Sequence, residues 1–140
     1  MKLPPEKYCR LLSENTKAVY RTFGEVFCPA IGKTVTFNAD GFHHLLFKPN
    51  RFPRSIKERI HKLTLVPLAI PVIKGASSVY TKRIVWIKKI AKEDKKVVEK
   101  QKSTQYAIVA RVGKKHPIDV RVIILKVGNG KPIFWSIMRH

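Results

Sequence analysis

The sequence predicts an α+β domain in which N-terminal helices pack on a C-terminal antiparallel β-meander of three to four strands. Three observations carry this expectation. Two capped segments of helical period, each with an apolar stripe, lie between residues 38 and 65. Long β-branched runs fill the chain from Val79 onward. The tetrad Gly128-Asn129-Gly130-Lys131 is a strong hairpin turn between the last two of those runs. Helices first and strands after describe α+β rather than an alternating α/β chain.

Pro4-Pro5 opens a first helix, proline being tolerated at the first helical position. Tyr8, Leu11, Leu12 and Val19 give it a loose apolar period. Gly24 to Gly32, with Pro29 inside it, reads as irregular, and Thr34-Val35-Thr36-Phe37 as a short β-rich run. Asn38 or Asp40 caps the next helix, which runs through Gly41-Phe42-His43-His44-Leu45-Leu46-Phe47-Lys48 until Pro49 ends it. Phe42, Leu45 and Leu46 share one face of that helix. The helical wheel puts His44 and Lys48 on the opposite face, with His43 and Phe47 to one side. The loop from Pro49 to Arg54 is stiffened by two prolines and carries Arg51 and Arg54.

Ser55 caps a further helix, with Glu58 at the capping-box spacing and Ile56, Ile60 and Leu63 as its buried stripe. Leu65 to Ile73 contains Pro67 and Pro71, which argue against a central strand, so the run reads as a Pro-started helical turn or buried connector. Strands follow at Val79 to Ile90, Gln105 to Val112, Ile118 to Val127 and Pro132 to Met138. The charged stretch Lys92 to Lys102 reads as a solvated excursion between the first two. With Asn129-Gly130 as a two-residue turn, Ile123 faces Ser136 and Arg121 faces Met138. Arg121 and Ser136 then lie on one face as diagonal neighbours. No repeat or domain boundary interrupts residues 1–140, which read as a single domain.

Composition narrows the function classes. The chain has 140 residues, 44% of them apolar, and 29 Lys plus Arg against 9 Asp plus Glu, a formal charge of +20. That excludes an acidic disordered tail, and no apolar run approaches the roughly 18–20 residues that span a bilayer. So large a surplus repels itself and implies a polyanionic partner, with nucleic acid the first expectation. Cys9 and Cys28 are too few and too distant for a zinc site or a disulfide framework, and read as small buried residues or free thiols in a reducing compartment. The Met1-Lys2-Leu3-Pro4-Pro5 start has no apolar signal core, so the expected location is cytoplasmic.

No phosphate-binding loop, dinucleotide fingerprint or zinc spacing is present, carboxylates are few, and no cofactor or metal is expected. Histidine, lysine and arginine remain, and that set suits metal-independent RNA cleavage. This reaction needs a base for the 2′-hydroxyl, an acid for the 5′-oxygen and cations for the charge on the phosphorane. His44, on the polar face of a short helix and four residues before Lys48, is the leading candidate for acid–base work. Arg51 and Arg54 suit phosphate oxygens. The alternative is a non-catalytic basic nucleic-acid-binding module, in which Trp86 and Trp135, which otherwise read as core, stack on bases, and Lys88 to Lys102, otherwise a solvated face, track phosphates. A third reading is a basic protein in permanent complex with an acidic subunit.

The run Phe37-Asn38-Ala39-Asp40-Gly41-Phe42-His43-His44-Leu45-Leu46-Phe47-Lys48 with Arg51 and Arg54, and the ending Val127 to Met138 with Trp135-Ser136 inside it, together resemble the phage and mobile-element branch of the barnase–EndoU–colicin–RelE-like nucleases. The segment Leu65 to Pro71 resembles that branch too. The resemblance covers residues 34–138. It implies a barnase/RelE-like fold and a metal-independent endoribonuclease, often a toxin neutralised by an acidic antitoxin or immunity protein. The RNA partner expected is tRNA or another structured RNA. It also implies an active site built from His44, Lys48, Arg51, Arg54, Arg121 and Ser136; His44, Lys48, Arg121 and Ser136 are the expected catalytic groups, and Arg51 and Arg54, together with His43 and Trp135, the expected RNA contacts. In that site His44 is general acid or base, and Ser136 donates to a phosphate oxygen.

Overall fold

A computed structural model describes residues 3–90 and 97–140, with side chains for 3–86 and 101–140. Four helices and six strands follow in the order α1 (Pro5–Tyr20), β1 (Glu25–Cys28), β2 (Lys33–Thr36), α2 (Ala39–Leu46), α3 (Ile56–Leu65), α4 (Ala69–Gly75), β3 (Val79–Ile90), β4 (Val97–Val112), β5 (Ile118–Val127) and β6 (Ile133–Arg139) among the described residues. The mixed α+β class expected from the sequence is present. The sheet is larger than the three or four strands expected: its order is β1-β2-β6-β5-β4-β3. Neighbours are antiparallel throughout, save the contact of β2 with β6, a parallel pairing of Thr36 with Ile133.

Of the two added strands, β1 comes from Gly24 to Gly32, a stretch that reads as irregular, and β2 falls on the expected β-rich run at Thr34 to Phe37. Gly24 and Gly32, both at positive φ, flank β1 and its turn into β2, and β1 is only four residues long, too short to show a period. Residues 97–102 belong to β4, where they pair with β3 beyond the end of β5, rather than to a solvated excursion. The rest of that stretch, 92–96, lies outside the described residues.

The helices cover one face of the sheet. Val122, Ile124, Phe134 and Ile137 of β5 and β6 meet Leu45 of α2, Leu63 of α3 and Val72 and Ile73 of α4 in one fully buried core. Truncating a ring such as Phe134 there costs about 3–5 kcal/mol. In α1 the buried line is Cys9, Thr16 and Tyr20, while Tyr8, Leu11 and Val19 are exposed. Of the expected apolar period only Leu12 packs against the core, because the buried line itself includes a hydroxyl. Cys9 and Cys28 are buried free thiols. The proline-containing run after α3 forms a 3₁₀ turn, Val66–Leu68, and then α4. No described helix is long and apolar enough to cross a membrane.

The hairpin joining β5 to β6 departs instructively from the expected register. Ile123 pairs with Ser136 and Arg121 with Met138, as a two-residue turn requires. Nearer the turn, however, Leu125 pairs with Ile133 and Ile124 with Phe134. The ladder is thus one residue out beside the turn, and an extra residue, Trp135, restores it as a β-bulge. Phe134 fills the core, while the bulge turns the neighbouring Trp135 toward α2.

Candidate functional site

Helix α2 begins where Asn38 Oδ1 accepts the Gly41 backbone N–H at 2.9 Å, so Asn38 is the cap and Asp40 sits in the first turn. A side chain at Gly41 would run into the backbone oxygen of Phe134, so glycine is what lets α2 lie against β6. Tyr20 fastens the same junction from α1, its hydroxyl donating to the Asn38 carbonyl at 2.6 Å.

The helix stops at Leu46, earlier than expected. Phe47 is extended and bridges Pro53, and the Lys48 N–H donates to the Phe52 carbonyl at 2.8 Å, so the loop takes over the hydrogen bonds that another helical turn would have used. Lys48 therefore lies in the tight turn after the helix and not one helical turn above His44. Arg51 closes that turn at φ +70, its N–H donating to the Lys48 carbonyl at 2.9 Å.

The loop then folds back, and the Arg54 N–H donates to the Leu46 carbonyl at 2.9 Å. This carries the Arg54 guanidinium beneath α2, where Nε donates to the His44 carbonyl at 3.0 Å and a terminal nitrogen lies 3.2 Å from His44 Nε2. A guanidinium only donates, so His44 Nε2 accepts and its proton sits on Nδ1. Arg54 also pairs with Glu58 at 3.5 Å, and its side chain is only 13% exposed. It does not line the cleft as an RNA contact was expected to.

The two histidines occupy different environments. His44 is half-buried, its ring stacked on Trp135 with centroids 4.3 Å apart. Burial first, and then Arg54, Lys62 and His43, push its pKa down to about 4, so the ring is uncharged at neutral pH. His43 is exposed and stacks on Phe47 at 4.4 Å, and its ring makes no hydrogen bond among the described residues. The wheel thus misassigns burial: His44, expected on the open polar face, is the more enclosed of the pair.

A cleft of about 610 Å³ opens between α2 and the sheet face that the helices leave uncovered. Asp40, His43 and His44 border it from α2, and Lys48 and Arg51 from the loop. The sheet contributes two indoles, Trp86 of β3, which is 64% exposed, and Trp135 of β6. Neither tryptophan is core. Of the residues expected at a site, His43, His44, Lys48, Arg51 and Trp135 converge here.

Ser136 and Arg121 do not join them. Ser136 is 4% exposed, and its Oγ accepts from Lys62 Nζ at 2.8 Å. Arg121 lies in a separate groove, where it donates to His140 Nδ1 at 2.9 Å. Their register is the expected one, but their side chains are engaged apart, Ser136 by Lys62 of α3 and Arg121 by His140.

Two residues near the cleft are not among the expected site residues: Asp40, which borders it, and Lys62, which is buried against β6. Lys62 is 8% exposed, donates also to the Ile137 carbonyl at 3.3 Å, and has its pKa pushed down to about 8 by burial and then Arg54, against a partial opposing pull from Glu58. Nothing in its spacing separates it from 28 other basic residues, since 29 are present in all. Asp40 did have a signal: it stands three and four residues before the histidines, one helical turn away. No family model matches the chain, and no curated protein and no solved structure matches it.

Proposed function

We propose that this protein is an endoribonuclease that cleaves RNA by attack of a 2′-hydroxyl on its own phosphodiester, in the cleft between α2 and the sheet. One observation carries the reading: a single cleft holds an accessible imidazole, two basic side chains and two indole faces. The indoles suit stacking with bases, Lys48 and Arg51 suit the phosphate, and an exposed imidazole suits the 2′-hydroxyl proton. The resemblance to the barnase–EndoU–colicin–RelE-like nucleases and the +20 charge point the same way.

Of the two histidines, His43 is the proton-transfer group in this proposal, and His44 is the positioning residue. The His44 lone pair already accepts from Arg54, and its ring stays uncharged under cationic neighbours. His43 takes the 2′-hydroxyl proton. Lys48 and Arg51 stabilise the charge that builds on the phosphorane, with Lys48 able to protonate the departing 5′-oxygen. Those roles need neither Ser136 nor Arg121.

The test is cleavage of end-labelled RNA in excess EDTA. Fragments ending in 2′,3′-cyclic phosphate are expected, lost by a factor of about 10²–10⁴ in His43→Ala. A smaller loss is expected in His44→Phe, which keeps a flat ring on Trp135. Retention of RNA without any product would favour a non-catalytic binding module, the reading that the locked His44 supports.

A further inference from the structure

The uncovered sheet face holds a second concavity. It is a groove of about 300 Å³ lined by Thr81, Arg83, Gln105, Ala107, Arg121 and Ile123. We infer that this groove binds a backbone phosphate of the same RNA strand whose bases occupy the cleft, so that the sheet face is a two-station track for single-stranded RNA. The inference rests on reading the cleft as an RNA site.

The groove is built from donors. Arg83 and Arg121 supply guanidinium groups, Thr81 a hydroxyl, and none of the lining residues is acidic. Arg83 donates to Gln105 Oε1 at 3.2 Å, which occupies the amide oxygen and leaves the amide NH₂ as the free end of Gln105. The nearby carboxylate, Asp119, is engaged by Arg111 through two hydrogen bonds of 3.0 and 3.4 Å.

Arg121 is held in place before any ligand arrives. Its guanidinium carbon lies 5.3 Å from the centre of the Tyr80 ring, and one terminal nitrogen donates to His140 Nδ1. Its Nε–H is buried and has no acceptor among the described residues. A planar cation fixed on an aromatic ring, in a groove lined by a second guanidinium and no carboxylate, is an arrangement suited to phosphate recognition.

The two concavities are neighbours on the sheet. Gln105 lines both of them. On β5, Leu125 faces the cleft and Arg121 the groove. They are four residues apart on one strand, about 13 Å at the usual rise. A ligand confined to the cleft stops short of Arg121, whereas a strand continuing past Gln105 reaches it. A merely solvated strand face would be indifferent to ligand length.

The experiment uses 2′-O-methyl RNA, which lacks the attacking hydroxyl and so separates binding from cleavage. Two probes are compared on the full chain, a dinucleoside monophosphate and an oligomer of about 8 nucleotides, a length within the range of known single-strand sites. Binding is read from quenching of Trp86 and Trp135 across a salt series. The wild type is expected to bind the oligomer more tightly. Arg121→Gln and Arg83→Gln should each weaken the oligomer about tenfold. Each should also flatten the dependence of log K on log salt by about 0.7, the value for one lost phosphate contact on a single strand.

Both variants should leave the dinucleoside affinity unchanged. Arg83 is exposed, so its variant keeps the fold even if loss of Arg121 disturbs it. Equal losses for both probes, or no loss for either, would overturn the groove assignment while leaving the cleft reading intact. Failure of the wild type to bind either probe would overturn the cleft reading itself. A chain that binds with the expected length dependence yet cuts no RNA would uphold the track and remove the nuclease.

Discussion

Replacing Gly41 with alanine sets two effects of opposite sign against each other. In an exposed helix interior the change favours folding by about 1 kcal/mol, because alanine loses less backbone freedom. Here the added Cβ would overlap the Phe134 carbonyl oxygen and lie 2.9 Å from the Tyr20 hydroxyl. Neither neighbour yields easily: Phe134 is fully buried in β6, and the Tyr20 hydroxyl is bound to the Asn38 carbonyl. Helix α2 must lift away from the strand, loosening Phe42 and Leu45. Overpacking of this kind costs about 1–3 kcal/mol, and the loosened side chains add about 1 kcal/mol, roughly one methylene's worth of burial. After the propensity gain is subtracted, the expected net loss is roughly 1–3 kcal/mol. For a chain of this size that lowers Tm by roughly 3–12 °C. Thermal unfolding by circular dichroism measures it. Tryptophan fluorescence should change as well, because His44 leaves its stack on Trp135 when α2 lifts. An unchanged or raised Tm would refute the close-approach argument.

Further outcomes are expected around the same site. Arg54→Gln removes a cation from beside His44 and frees its Nε2, so the His44 titration seen by NMR should move up from about 4 toward the usual 6.5. In the wild type the unfolded chain binds a proton at His44 between pH 6.5 and 4 that the folded chain refuses, so stability falls as pH drops through that window. His44→Phe should lose this part of the acid sensitivity in urea titrations. Lys62 gives the same sign in alkali: between about pH 8 and 10.5 the folded chain has released a proton that the unfolded chain retains, so stability gains with rising pH. Lys62→Met should abolish that gain, as Tm measured at the two ends of the window would show. Trp86→Ala should change stability by less than about 0.5 kcal/mol, since the side chain is exposed, yet weaken single-stranded RNA by about 1–3 kcal/mol if it stacks a base. Filter binding at fixed salt would register either result.

Much of the fold could be read from local signals. Ser55, Asn38 and the β-branched runs mark their elements because caps and strand residues act through a few neighbours in sequence. What escaped depends on tertiary partners. Strand β1 is too short for a period, and α2 ends early only because Pro53 and Phe52 return to pair with Phe47 and Lys48. At the site, residue types were legible but their surroundings were not. The wheel separates the faces of α2, yet it holds no information about the Arg54 side chain that arrives from ten residues later to occupy His44. Lys62 and Ser136 are 74 positions apart, and only packing joins them.

The paired irregularities of the last hairpin bind two sites of change together. Its turn sets the ladder one residue out of step, and Trp135 sets it back. Shortening the turn by one residue would leave the bulge with nothing to correct. Either Ile133 and Phe134 would exchange inward and outward positions, or the excess would travel up β6 and displace Ser136 and Ile137 from Lys62. Insertions and deletions at Gly128-Asn129-Gly130, ordinarily the most forgiving place in a hairpin, are therefore tolerated here only alongside a compensating change near Trp135. Loop grafting into this turn should conserve its length even where it discards its sequence.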